Sequence, residues 1–121
     1  MVVLVADDDP TTRTLVATIL KRAGHTPVLA QDALQTIAMA KQHNPDVIVL
    51  DVQMPAGTGA TALHNLKASV MTSHVPVIVL SGVADREKIE KLLAMGAAEY
   101  LSKPVDPESL LSALERAAPA P

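Results

Sequence analysis

The sequence predicts a doubly wound α/β domain, with five βα repeats forming a five-stranded parallel sheet and helices on both of its faces. Three observations predict it. Short β-branched runs alternate with stretches of helical period along the 121 residues. The runs VVLVA, VIVL and VPVIVL are almost continuously apolar, as strands covered on both faces must be. Cap and turn residues fall between these segments. The length suits one domain and is enough to bury a core without disulfide or metal staples.

The elements follow in order. Val2–Ala6 reads as the first strand. Asp9-Pro10 then pairs an N-cap acid with a proline suited to the first helical position, opening a helix with Leu15, Ile19, Leu20 and Ala23 on its apolar face. Gly24 stands where a left-handed C-terminal residue is wanted. Thr26–Ala30 is the second strand; Leu34, Ile37 and Ala38 mark the second helix, which Asn44-Pro45 stops. Val47–Leu50 is the third strand, followed by a helix with Leu63, Leu66 and Val70. Val75–Leu80 is the fourth strand, and its helix carries Ile89, Leu92 and Leu93 before Gly96. Ala98–Leu101 is the fifth strand, and Asp106-Pro107 opens a last helix with Leu110, Leu111 and Leu114. The domain is expected over residues 1–117, with 118–121 as a linker or disordered tail, since AAPAP cannot continue a helix.

Composition narrows the chemistry. With no Cys, a disulfide framework, a thiolate metal site and a cysteine nucleophile are excluded, and a reducing cytoplasm fits. Ten Lys+Arg against thirteen Asp+Glu give a net charge of −3, without basic blocks. One Tyr and no Phe or Trp leave little for base stacking, so direct nucleic-acid binding is not expected. The opening MVVLVADDD lacks a basic n-region and meets acids at once; neither a signal peptide nor a membrane span is read from it. Neither a P-loop nor GxGxxG is present, which disfavours nucleotide enzymes.

In open α/β sheets the active crevice lies beyond the carboxyl ends of the strands. The first strand runs into Asp7, Asp8 and Asp9, the third into Asp51, the fourth into Ser81 and the fifth into Lys103. Asp9 is taken up by helix capping, which leaves three carboxylates that repel one another unless cations intervene. Lys103 supplies one positive charge, and a hard divalent ion with oxygen ligands, best Mg²⁺, balances the rest. A phosphoryl group accepted on Asp51 would be met by Lys103, the metal and the Ser81 hydroxyl. Each feature alone has a plainer account: an acid pair is often a cap and its neighbour, Lys-Pro a solvated strand end, Ser-Gly a turn. Their order at the ends of different strands is what distinguishes them. His25, His43, His64 and His74 share no metal-ligand spacing and read as surface or loop residues, and Met39, Met54, Met71 and Met95 read as packing.

The segments VLVADDDP, DVIVLDVQMP, VIVLSG and YLSKP, with Asp8 to Asp51 43 residues apart, Asp51 to Ser81 30 and Ser81 to Lys103 22, carry a family resemblance. From Val2 to Ala117 the chain resembles a response regulator receiver domain of two-component signalling, the chemotaxis type, whose flavodoxin-like sheet runs in the order 2-1-3-4-5. The resemblance implies that Asp51 is the phosphoacceptor, receiving its group from a histidine kinase or phosphotransfer protein. It implies Mg²⁺ on Asp7, Asp8 and Asp51 with the backbone carbonyl of Gln53, and Lys103 aimed inward by a cis Lys103-Pro104 bond. Ser81 would be the hydroxyl switch and Tyr100 the aromatic that rotates with it, changing the face of the fourth helix, fifth strand and fifth helix. That face would control an output partner or fused effector domain; apart from self-phosphorylation and autodephosphorylation, no enzyme activity is implied.

The chain departs from the family pattern at Met54-Pro55-Ala56-Gly57-Thr58-Gly59, where Thr58 can still cap the third helix, and carries Val105 after Lys-Pro. Gln53 and Val83 occupy positions tied to water access, leaving the phosphoryl lifetime open. Two alternatives compete. A haloacid-dehalogenase-type phosphatase needs an acid two residues after its nucleophile, where this chain has Gln53. A pseudo-receiver that only binds partners would be favoured by a missing acid, lysine or hydroxyl, and none is missing. Arg86, Glu87, Lys88, Glu90, Lys91, Glu115 and Arg116 read as a solvated face, with a phosphorylation-dependent homodimer left open.

Overall fold

The structure, a computed structural model, describes residues 1–52, 58–82 and 86–118. Its elements alternate as β1 (Val2–Ala6), α1 (Pro10–Arg22), β2 (Thr26–Ala30), α2 (Ala33–His43), β3 (Val47–Asp51), α3 (Thr58–Ala68), β4 (Val77–Ser81), α4 (Arg86–Ala94), β5 (Glu99–Ser102) and α5 (Pro107–Ala117). The five strands form one sheet in the order β2-β1-β3-β4-β5, all pairs parallel. Register brings the strand ends level: Ala6 lies opposite Leu50, Asp51 opposite Leu80 and Ser81 opposite Ser102. The residues that leave these strands therefore emerge along a single rim.

The pleat divides the apolar runs between two cores. Val3, Val5, Val47, Val49, Ile78 and Leu80 face α1 and α5, meeting Val16, Leu20, Leu110 and Leu114. Leu4, Ala6, Ile48, Leu50, Val77 and Val79 face the other way, meeting Ala40, Ala62, Leu63 and Leu66 of α2 and α3, with Leu92 of α4 partly buried at the margin. Burial on both faces is what the unbroken apolar runs of β1, β3 and β4 require.

Capping follows the expected chemistry. Asp9, Asp32 and Asp106 are N-caps whose carboxylates accept backbone N–H groups of the first turn, and Pro10 and Pro107 begin their helices. Asn44 closes α2 in the left-handed region at φ 46°, and Gly24 and Gly96 take positive φ after α1 and α4.

Several helix faces differ from their expected form. In α2 the core side is Ala33, Thr36, Ile37 and Ala40, while Leu34 is 82% exposed and Ala38 is also outside. Thr36 can be buried because its hydroxyl donates to the Asp32 carbonyl at 2.6 Å. Val70 lies beyond the end of α3 and is 90% exposed; the buried Thr72 instead closes that end, donating to the Leu66 carbonyl. Leu15, Leu93 and Met71 are also exposed, and Ala23 is the solvent-facing C-cap of α1. The fourth strand starts at Val77 rather than Val75, and the fifth runs one residue later than expected at each end. Met39 and Met95 pack against the core, and His25 is half-buried beside the Met1 amine. Met54 and the Met54–Gly57 departure lie outside the described residues, as does the side chain of Thr58. Among the described residues, no helix is long and apolar enough to cross a membrane.

Candidate functional site

The site begins where β1 ends. The Asp7 N–H donates to the Ala30 carbonyl at 3.1 Å, which carries the β1–β2 pairing one residue past the strand. Asp7 Oδ1 accepts the Asp9 N–H at 2.9 Å, which turns the chain into α1. Asp9 is occupied as a cap: its carboxylate accepts the Thr12 hydroxyl at 2.8 Å and the Thr11 N–H at 3.1 Å. Those two bonds, the hydroxyl first, hold its pKa below the ordinary carboxylate value.

Asp51 is the last residue of β3, and like Asp7 it is only 2% exposed. The exposed Asp8 completes the cluster: carboxylate oxygens of Asp7, Asp8 and Asp51 lie within 4.8 Å of one another. Lys103 reaches in from the segment after β5, and the Lys103-Pro104 bond that follows it is cis. Its Nζ forms an ion pair with Asp7 Oδ2 at 3.1 Å and donates to Asp51 Oδ2 at 3.2 Å. Burial alone would lower the Lys103 pKa, but contact with Asp7 and attraction by Asp51 outweigh it and leave the pKa raised.

Ser81, fully buried, ends β4 on the same rim, and its carbonyl is used twice. It accepts the Lys103 N–H at 3.0 Å and the Tyr100 hydroxyl at 3.2 Å. Tyr100 is half-buried, with its ring against the α2–α3 core. Thus one strand end is tied to both the lysine segment and the tyrosine. Gln53 and Val83 lie outside the described residues.

Among the described residues, three carboxylates, two of them buried, face a single ammonium group. The buried Oδ2 of Asp7 has no hydrogen-bond partner among the described residues, only its ion pair with Lys103. An oxygen-only donor set in which three carboxylates converge within 4.8 Å fits a hard divalent cation such as Mg²⁺. The rim also contains a cation that hydropathy and motif spacing do not single out. Arg13 Nη1 donates to the Asp7 carbonyl at 2.6 Å. Its one sequence signal is placement: a basic residue one turn into a helix sits against the helix dipole and needs a nearby acceptor.

The chain is similar to known proteins along almost its whole length. A family profile described as the response regulator receiver domain matches residues 3–115. Protein PilH of Pseudomonas aeruginosa is 35% identical over 114 residues, 93% of each chain. The phosphate regulon transcriptional regulatory protein PhoB of Escherichia coli is 31% identical over 113 residues, and the chain spans only 49% of its length. Among solved structures, Vibrio cholerae chemotaxis protein CheY4 is 33% identical with a TM-score of 0.90, the match covering 96% of this chain and 97% of that one. The receiver domain of sensor histidine kinase PA1611 from Pseudomonas aeruginosa, solved with a magnesium ion coordinated in its active site cleft, is 28% identical with a TM-score of 0.88 over 96% of this chain and 95% of its own. With the receiver profile spanning both ends of the sheet and PilH aligned across almost the whole sequence, the chain belongs to the response regulator receiver domains of two-component signalling.

Proposed function

We propose that the chain is a phosphorylation-dependent switch that accepts a phosphoryl group on Asp51. The observation that carries this reading is the Lys103 ammonium, within 3.2 Å of two buried carboxylates at the ends of different strands. Asp51 attacks phosphorus as a carboxylate; the new O–P bond replaces the bond to the donor, whose leaving group departs with the electron pair. No proton has to be removed from the nucleophile. Lys103 neutralises charge on the transferring group and afterwards pairs with the phosphoryl oxygens. Asp7 and Asp8, together with Asp51 and the Gln53 carbonyl, would hold Mg²⁺, which when bound supplies further neutralisation of that charge.

The Ser81 hydroxyl is the switch group that turns towards the phosphoryl oxygens. The Tyr100 hydroxyl bond to the Ser81 carbonyl supports coupling of that movement to β5, and through it to α4 and α5. The donor is a histidine kinase or phosphotransfer protein, the readout an effector protein or a fused output domain, and the setting cytoplasmic. The domain covers residues 1–117, with 118–121 as a linker or C-terminal tail. Arg86, Glu87, Lys88, Glu90, Lys91, Glu115 and Arg116 are all exposed, as a solvated or dimerising α4–β5–α5 face requires.

Beryllofluoride with Mg²⁺ mimics the phosphoryl group and tests the switch by NMR. Amide shifts should move at Ser81, Tyr100 and along α4–β5–α5, and the Asp51→Asn variant should show none of them. Shifts confined to the acid rim, with Tyr100 and its face unchanged, would contradict the proposed coupling.

A further inference from the structure

Arg13 stands one turn into α1, where the unpaired N–H groups of the helix start disfavour a positive charge. It is nevertheless half-buried, and its Nη1 donates to the Asp7 carbonyl at 2.6 Å. That carbonyl belongs to the peptide joining Asp7 to Asp8, just beyond the last residue of β1. The guanidinium thus supplies a donor to the first carbonyl past the strand. Asp7 is then held at its N–H by Ala30, at its carbonyl by Arg13 and at Oδ1 by the Asp9 N–H. Its Oδ2 is turned towards Lys103, beside Asp51. Because the peptide is planar, fixing the Asp7 carbonyl also fixes the direction in which the chain enters Asp8.

We propose that Arg13 is a positioning residue: by clamping the Asp7–Asp8 peptide it makes the carboxylates of Asp7 and Asp8 converge with Asp51 on one divalent cation. This deepens, and rests on, the assignment of the acid cluster to Mg²⁺. Charge and position make opposite predictions. By charge alone Arg13 repels an incoming dication, so its removal would tighten Mg²⁺ binding. As a clamp on the ligand-bearing peptide, its removal weakens binding on the order of 10-fold, the usual scale for partners that orient metal ligands.

Isothermal titration of Mg²⁺ into the wild type, Arg13→Ala, Arg13→Lys and Arg13→Gln at fixed ionic strength decides between them, with circular dichroism to confirm the fold. The alanine variant should bind roughly 10-fold more weakly, and the lysine variant, which keeps a charged donor, should recover part of the loss. A role in stability alone would lower the melting temperature without moving the Mg²⁺ affinity of the folded protein. Affinity in the alanine variant equal to or tighter than wild type would overturn the proposal. Should that variant not fold, weaker binding in both the lysine and glutamine variants would support it, and wild-type affinity in both would overturn it. A wild type that binds no Mg²⁺ would remove the metal assignment and this proposal together, whereas unchanged affinity beside a binding wild type removes only the role of Arg13.

Discussion

Lys103 holds two buried carboxylates together, so its removal exposes how the site is balanced. In Lys103→Ala, Asp7 and Asp51 face each other without their shared cation. Lys103 retains 24% exposure, so the expected cost lies between a surface and a fully buried pair, about 1–3 kcal/mol. Mg²⁺ should restore part of that stability by binding the uncompensated acids, while the response at Tyr100 to beryllofluoride is lost. Thermal melts with and without Mg²⁺ check the first expectation; a variant as stable as wild type in the absence of the metal would contradict it. The acids and this lysine were legible in the sequence because strand ends in a parallel sheet converge whatever their spacing along the chain. Arg13 was not, because its partner is a backbone carbonyl, which leaves no trace in side-chain pattern.

The helices show a similar boundary between what pattern can and cannot reveal. Caps read well, since Asp-Pro at α1 and α5 combines a side-chain acceptor with a preset backbone angle. Buried faces read less well where a polar residue carries its own partner inward. Thr36 is in the core because Asp32 accepts its hydroxyl, and Leu34, the more apolar neighbour, faces water. The cap of α5 gives a pH prediction. Asp106 accepts the Ser109 hydroxyl at 2.7 Å and the Ser109 N–H at 3.0 Å, and these bonds, in that order, lower its pKa. A carboxylate lowered in the folded state contributes fully above its ordinary pKa, and the contribution is lost as pH falls through the folded value. Asp106→Asn keeps an acceptor but cannot titrate, so its stability should fall less steeply on acidification. Denaturant midpoints across that range check this; a slope equal to wild type would contradict it.

At the scale of the molecule, two cores hold one sheet between helix layers, and the site is the rim where that sheet runs out. The strand order and the two-sided burial were legible from the unbroken apolar runs and the family resemblance together. Strand limits shifted by a residue or two because hydropathy does not mark where pairing stops; Val75 is buried yet precedes β4. The rim explains how residues far apart in sequence come to share one site, and the proposed function turns on Asp51. The most direct test is the intact mass of the protein after incubation with acetyl phosphate, with and without Mg²⁺, beside Asp51→Asn. A single phosphoryl adduct that requires both Mg²⁺ and Asp51 is expected. Steady phosphate release without an adduct would instead indicate a phosphatase, and neither signal would indicate a module that only binds partners; an adduct that persists in Asp51→Asn would contradict the assigned acceptor outright.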